Sequence, residues 1–103
     1  MSGFYSVQQI RFEVLAYVKA FSSDWSEWYI GVTDDPQTAL FTTHGLDREQ
    51  DIWLYKQAAS FAACHNVQKY YIETHKMDGE LVEVGAADTD CVYLYKKSVR
   101  STP

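Results

Sequence analysis

The fold of this chain is decided by residues 28–36, which read Trp-Tyr-Ile-Gly-Val-Thr-Asp-Asp-Pro. Aromatic and β-branched side chains dominate the start of this stretch and favour a β-strand, which we predict over Trp25–Thr33. Gly31 lies inside that strand and indicates that another group approaches the strand backbone closely. Asp35 can cap a helix and Pro36 suits the first helical position, so the strand is predicted to lead directly into a helix.

The sequence on either side of this stretch predicts the remaining elements. Ser6 and Gln9 form a capping box, and apolar residues then recur at spacings of three and four as far as Phe21, which is typical of a helix with one buried face. The other expected elements are a helix over Pro36–His44 closed by Gly45, a strand over Ile52–Tyr55, a helix over Ala58–His75, a turn over Met77–Gly79, a short extended segment over Leu81–Val84 and a strand over Cys91–Lys96. The run Ile52–Tyr55 is short enough to be, alternatively, the first turn of the following helix.

The order of these elements predicts the fold class. Alternation in the last strand places its two aliphatic residues, Val92 and Leu94, on one face and its two tyrosines on the other. We therefore expect an α/β domain of the α+β type, in which a small, mostly antiparallel three-stranded sheet is packed with three or more helices. A chain of 103 residues has the length of one domain, so residues 1–97 are predicted to form it and residues 98–103 a polar C-terminal tail.

The charge balance limits the possible partners. Nine Lys and Arg residues face 14 Asp and Glu residues, which gives a net charge of -5. Binding to a nucleic-acid backbone needs a basic footprint, so we do not expect nucleic acid as a partner of this chain. The acidic residues concentrate in residues 24–51 and 73–90. An acidic surface of this kind suits a protein partner with a basic face.

The cysteines and the hydropathy pattern indicate a cytoplasmic protein. Cys64 and Cys91 are the two cysteines, they lack the spacing of a metal site, and thiols of this kind are usually reduced in the cytoplasm. We expect no metal or other cofactor in the absence of catalysis. No apolar run reaches the ~18 residues of a membrane span, and the first residues lack the pattern of a signal peptide. Neither a membrane nor export is therefore expected.

Tyrosine and tryptophan side chains are the most distinctive candidates for a binding surface. Aromatic residues make up 16% of the chain. Tyr93 and Tyr95 share one face of the last predicted strand, so they are either packed beneath another element or displayed together. In the second case they would form a stacking surface for a small nucleotide.

The stretch from Tyr29 to Pro36, followed by Leu40 and His44, resembles the second half of the GIY-YIG nuclease signature. In that family a strand with a Tyr-x-Gly sequence leads through a Thr and an Asn or Asp turn into a helix with a catalytic Arg. The chain is also similar to small bacterial proteins of unknown function that share this order and a Val-Tyr-x-Tyr-Lys ending. The resemblance implies an α/β scaffold of the nuclease type.

The departures from the family pattern concern its catalytic groups. The position of the family's Arg falls at Ala39, and the position of its metal-binding Glu falls at Gln68, with Glu73, which would point elsewhere on a helix, as the second candidate. The first motif of the family, a Gly-Ile-Tyr strand, falls where residues 16–18 are predicted to be helical. Arg and a metal ion stabilise the charge that develops on the phosphate in the transition state, so their loss predicts loss of the nuclease chemistry.

Three functions follow from this comparison. The first is a non-catalytic binding module, for a protein partner or a small nucleotide, whose expected binding residues are Tyr29, Gly31, His44, Gln68, Tyr93 and Tyr95. The second is a metal-dependent endonuclease with Mg²⁺ or Mn²⁺, in which Arg48 or Lys56 replaces the family's Arg; its candidate catalytic residues are Tyr29 or His44 as the base and Glu73 as the metal ligand. The third is a structural or assembly protein in which the resemblance is accidental.

Overall fold

The computed structural model describes residues 4–22, 24–83, 85 and 89–98. Its helices and strands are α1 (Val7–Phe21), β1 (Trp28–Thr33), α2 (Pro36–Thr38), β2 (Trp53–Gln57), α3 (Phe61–His75) and β3 (Cys91–Lys96). Most of the expected polar tail, residues 99–103, lies outside the described residues, as does Val84 of the expected extended segment.

The three strands form one sheet in the order β1-β3-β2, and both pairs are antiparallel. In the first pair Gly31 is opposite Tyr93, and in the second pair Tyr55 is opposite Tyr93. The strand that comes last in the sequence is therefore central in the sheet. The prediction of a small α+β fold with a three-stranded antiparallel sheet and three helices is confirmed.

The alternation of side chains in β3 produces two apolar layers. Val92 and Leu94 pack with buried residues of α1 and α3 in the larger core cluster. Tyr93 and Tyr95 face the opposite side, where they pack with Leu40 in a second cluster. The sheet therefore has the two long helices on one face and, on the other, the chain between β1 and β2, as the period of two in β3 predicts.

The two long helices begin at side-chain caps. Ser6 and Gln9 make both hydrogen bonds of the predicted capping box at the start of α1. Ser60 caps α3, so Ala58 lies outside the helix, contrary to the prediction. Ala58 instead forms an isolated parallel β-bridge with Tyr5. Among the described residues, no helix is long and apolar enough to cross a membrane.

Two local predictions are wrong at their edges. Trp25–Glu27 forms a 3₁₀ turn rather than the start of β1, because the Asp24 carboxylate accepts hydrogen bonds from the backbone and the hydroxyl of Ser26. That local capping outweighs the strand preference of Trp25. The second strand is formed by Trp53–Gln57 rather than by Ile52–Tyr55, and the alternative of a helical turn is wrong there.

The helix predicted over Pro36–His44 exists but changes its geometry. Asp35 caps α2 through a hydrogen bond from the Thr38 backbone N–H, as predicted. From Ala39 to Thr43 the chain continues as a wider, π-helical segment. It ends before Gly45, whose φ of 72° lies in the left-handed region that glycine adopts without strain.

The chain returns to the outer edge of β1 after α3. Asp78 donates its backbone N–H to the Trp28 carbonyl and accepts from the N–H of Ile30. The described part of the expected extended segment, residues 81–83, forms no strand. Gln68 holds it instead, because its side-chain oxygen accepts the backbone N–H of Val82.

Candidate functional site

A cleft of about 410 Å³ opens along β1 and β3 on the tyrosine face of the sheet. Its walls come from the end of the π-helical segment and from the chain that follows α3. The residues that line it are Tyr29, Gly31, Val32, Thr43, His44, Glu80, Leu81, Val82 and Tyr93. Four of the six binding residues predicted from the sequence, Tyr29, Gly31, His44 and Tyr93, thus line one cleft. We call it the tyrosine cleft.

The floor of the tyrosine cleft is formed by Gly31 and the ring that covers it. A Cβ atom on Gly31 would lie 2.2 Å from Cζ of Tyr93 and 2.3 Å from its hydroxyl oxygen, so any larger residue would force this ring to move. Gly31 and Tyr93 are directly paired across the two strands. The close approach predicted for the Gly31 backbone is therefore made by a side chain of the protein itself.

His44 joins the two tyrosines of β3. Its Nε2 atom lies 2.9 Å from the Tyr93 hydroxyl, and its Nδ1 atom lies 2.9 Å from the Tyr95 hydroxyl. In either neutral tautomer the imidazole has one donor and one acceptor nitrogen, so one tyrosine then donates to the ring and the other accepts from it. The buried His44 side chain is in this way fixed in both position and ring orientation.

The backbone that carries His44 is anchored by the second core cluster. Leu40 is fully buried in that cluster, and its carbonyl accepts the backbone N–H of Leu46. The N–H of His44 itself donates to the Ala39 carbonyl, which closes the π-helical segment. The buried Leu40 side chain and the closed helical turn thus fix the backbone of His44, so that its imidazole lies against the sheet.

Tyr29 forms the aromatic wall of the cleft. Its ring stacks on Tyr95 with 5.2 Å between the centroids, and it lies 4.8 Å from the ring of His44. Burial raises the pKa of the Tyr29 hydroxyl above its ordinary value, the carboxylates of Glu80 and Asp78 raise it further, and a hydrogen bond with the Glu80 backbone opposes the change. Tyr29 is therefore neutral at physiological pH, and it lines the cleft as an uncharged aromatic residue.

The other two tyrosines are kept neutral for the same reason. Burial raises the pKa of the Tyr93 hydroxyl, and the neighbouring Tyr29 and Glu80 raise it further. Burial also raises the pKa of Tyr95, which is fully buried beneath the cleft and does not line it. Tyr95 thus supports Tyr29 and His44 from below.

Glu80 gives the tyrosine cleft its charge. It is an exposed residue that lines the cleft, and sequence reasoning did not identify it. Among the described residues, no lysine or arginine lines this cleft. The sequence does predict the turn at Met77–Gly79. This turn returns the chain to the edge of the sheet and so brings Glu80, which follows it, to the tyrosine cleft.

Gln68 is a structural residue behind the cleft. Its buried side-chain amide donates to the carbonyls of Ile30 and Glu80, at 3.2 Å and 3.0 Å, and its oxygen accepts from the N–H of Val82. Gln68 does not line the cleft, although the sequence predicted it as a binding residue. Its three bonds hold the wall that carries Glu80 against β1.

The residues proposed for displaced nuclease chemistry are not brought together. Glu73 lies in a separate groove between α1 and α3. The Arg48 guanidinium lies 4.0 Å over the ring of Phe41, and the Lys56 ammonium lies 4.6 Å over the ring of Tyr5. None of the three lines the tyrosine cleft with Tyr29 and His44.

Metal-ligating groups are dispersed in the described part of the chain. Residues 4–22, 24–83, 85 and 89–98 contain no group of three or more His, Cys, Asp or Glu side chains that could hold a metal ion. Both cysteines are buried and free, and burial raises the pKa of Cys64 to about 12 and that of Cys91 to about 11. The thiols are therefore protonated and weakly nucleophilic near neutral pH.

Comparison of the chain with protein-family models, with curated proteins and with solved structures finds no significant match. The functional assignment therefore depends on the geometry of the tyrosine cleft and on its charge.

Proposed function

We propose that this protein is a non-catalytic binding module on a GIY-YIG-like scaffold, and that its tyrosine cleft receives a basic side chain from a protein partner. The observation that carries the proposal is the composition of the cleft. Tyr29 and Tyr93 supply aromatic surface, Glu80 supplies a carboxylate, and no cationic side chain of the described residues lines the cleft. This is the chemistry that receives a guanidinium or an ammonium group.

The charge of the cleft favours this ligand over a nucleotide. A guanidinium over the Tyr29 ring gains a cation–π contact of about 0.5–2 kcal/mol and can donate to the Glu80 carboxylate. The phosphate of a nucleotide would face that same carboxylate without a compensating cation. A basic side chain is also drawn toward a chain whose net charge is -5.

A binding role is also supported by the uncharged residues, Ala39 and Gln68, at the positions that match the family's catalytic groups. The strand with Tyr29 and Gly31 leads through Asp35 into a helix at Pro36. Ala39, at the position of the family's Arg, carries no charge to stabilise a phosphate. The amide of Gln68 is occupied by protein partners on both its donor and its acceptor side.

The proposal is tested by an NMR titration with two small probes, Nα-acetyl-arginine amide and AMP. The arginine probe should shift the signals of Tyr29, Gly31 and Glu80 in a saturable way, and AMP should not. The variant Glu80→Gln should weaken the binding of the arginine probe by about tenfold, because it removes the charge-assisted hydrogen bond.

Glu83→Gln is the matched control for that variant. Glu83 is exposed, is three residues away and does not line the cleft, so the same loss of charge there should change affinity little. If the two variants weaken the binding of the arginine probe equally, the binding is general attraction by the acidic surface and not recognition in the cleft. Saturable binding of AMP in the cleft would favour the nucleotide over the basic side chain.

A further inference from the structure

A second groove, between α1 and α3, has a different chemistry from the tyrosine cleft. It measures about 380 Å³, and its polar lining includes Arg11, His65, Asn66, Lys69 and Glu73. Two of these residues, Arg11 and Lys69, are basic and one, Glu73, is acidic. The groove is thus locally positive on a chain of net charge -5.

The Arg11 guanidinium is held in place by contacts within the protein. It lies 4.0 Å over the ring of Tyr70, and its Nη2 atom donates to Oδ1 of Asn66 at 2.8 Å. Its Nε atom is buried and has no hydrogen-bond partner among the described residues. Protein acceptors therefore compensate only part of the positive charge, although the group is already oriented.

The neighbours of Arg11 on α3 add hydrogen-bond donors to the same groove. Because the Asn66 oxygen accepts from Arg11, the amide nitrogen of Asn66 is directed away from that bond. Lys69 is exposed one turn further along, and within the described residues its ammonium forms no ion pair and no hydrogen bond. Arg11, Asn66 and Lys69, three residues with hydrogen-bond donors in their side chains, thus line one groove.

We propose that this groove binds an oxyanion, a phosphate or carboxylate group, between Arg11 and Lys69. The two cations supply charge-assisted hydrogen bonds, and the guanidinium needs little reorganisation because Tyr70 and Asn66 already fix it. Glu73, one turn beyond Lys69, repels further negative charge at that end of the groove. The ligand is accordingly a single small oxyanion rather than a polyanion such as nucleic acid.

The test is an NMR titration of the whole protein with inorganic phosphate and, separately, with acetate, at constant ionic strength. Saturable shifts are expected at the N–H groups of the Arg11 guanidinium and at the Asn66 side-chain amide. Saturation by phosphate alone assigns a phosphate group, and saturation by both probes assigns an oxyanion that includes carboxylate. Absence of saturable shifts with either probe overturns the proposal.

The variants separate a site from general attraction by positive charge. Arg11→Gln should weaken binding about tenfold, and Lys69→Gln, at an exposed position that leaves the core intact, should weaken it severalfold. Glu73→Gln should tighten binding about two- to fivefold. An unchanged affinity in Lys69→Gln overturns the proposal even if Arg11→Gln fails to fold.

Arg48→Gln is the matched control, because Arg48 has nearly the same surroundings elsewhere on the protein. Its guanidinium also lies 4.0 Å over an aromatic ring, that of Phe41, and its Nη2 atom also donates to a side-chain amide at 2.8 Å. It does not line the groove. Affinity should be unchanged in this variant, and an equal loss in Arg48→Gln and Arg11→Gln contradicts the site.

Discussion

The ring of Tyr93 covers the backbone of Gly31, its partner across the β1–β3 pair, and reaches over it to the Nε2 atom of His44. Because Gly31 has no side chain, the hydroxyl of Tyr93 can lie over its backbone and reach His44. This contact connects the sequence stretch that decides the fold with the floor of the tyrosine cleft.

We expect Gly31→Ala to lower the free energy of unfolding by about 1–3 kcal/mol, because the added methyl group must displace the Tyr93 ring from its bond with His44. Urea denaturation measures the change. In a Tyr93→Ala background the ring is absent, so the same Gly31→Ala substitution should cost much less. Equal costs in the two backgrounds would mean that the ring contact is not the reason for glycine here.

Gln68→Glu should destabilise the protein by about 2–4 kcal/mol, because a buried carboxylate would face the carbonyls of Ile30 and Glu80 that now accept hydrogen bonds from the amide. Thermal and urea unfolding measure the effect. Gln50→Glu, at an exposed position, should change stability by less than about 0.5 kcal/mol. An equally small change in Gln68→Glu would contradict the structural role of the amide.

Supercoiled plasmid should remain uncut when the protein is incubated with Mg²⁺ or Mn²⁺. Glu73 lies in a different groove from Tyr29 and His44, so these groups cannot act on one phosphate. Gel electrophoresis measures the conversion of plasmid, with Glu73→Ala and Tyr29→Phe as companion variants. If the protein cleaves the plasmid and either substitution abolishes the cleavage, the nuclease hypothesis is supported and the binding-module hypothesis is contradicted.

Stability should fall as the pH rises above the ordinary thiol pKa of 9.0. Burial raises the pKa of Cys64 to about 12 and that of Cys91 to about 11, and it raises the pKa of Tyr71 to about 12 from 10.0. Between the ordinary and the raised values the unfolded chain loses these protons and the folded chain keeps them. The contribution of these protonated groups to the free energy of unfolding is therefore complete below pH 9 and is lost as the pH rises through their folded-state pKa values.

Urea midpoints measured at a series of alkaline pH values test this dependence. The decline should be shallower in Cys64→Ala between the ordinary thiol and tyrosine pKa values, because one titrating thiol is removed. A midpoint that is constant, or that rises with pH in this range, contradicts the assignment of the buried groups.

The sequence predicted the fold well where one local signal acted alone. Residue alternation in β3 assigned the tyrosines and the aliphatic residues to opposite faces, and the capping box fixed the start of α1. It failed where local hydrogen bonds compete with propensity, as at Trp25–Glu27, where Asp24 caps a turn.

The tyrosine cleft could be predicted only in part. Tyr29, Gly31 and His44 are close in sequence to one strand–helix unit, and Tyr93 joins them through strand pairing. The segment that carries Glu80 is held at the cleft by tertiary hydrogen bonds between the Gln68 side chain and the backbone of Glu80 and Val82, and no periodicity in the sequence encodes such bonds.

The most direct test of the proposed function compares two short peptides that differ in one side chain, arginine in one and citrulline in the other. Citrulline keeps the shape of arginine and removes its charge, so the difference in Kd isolates the cation. We expect saturable binding of the arginine peptide at Tyr29 and Glu80 and at least about tenfold weaker binding of the citrulline peptide. Equal affinity for the two peptides would contradict a cleft built to receive a basic side chain.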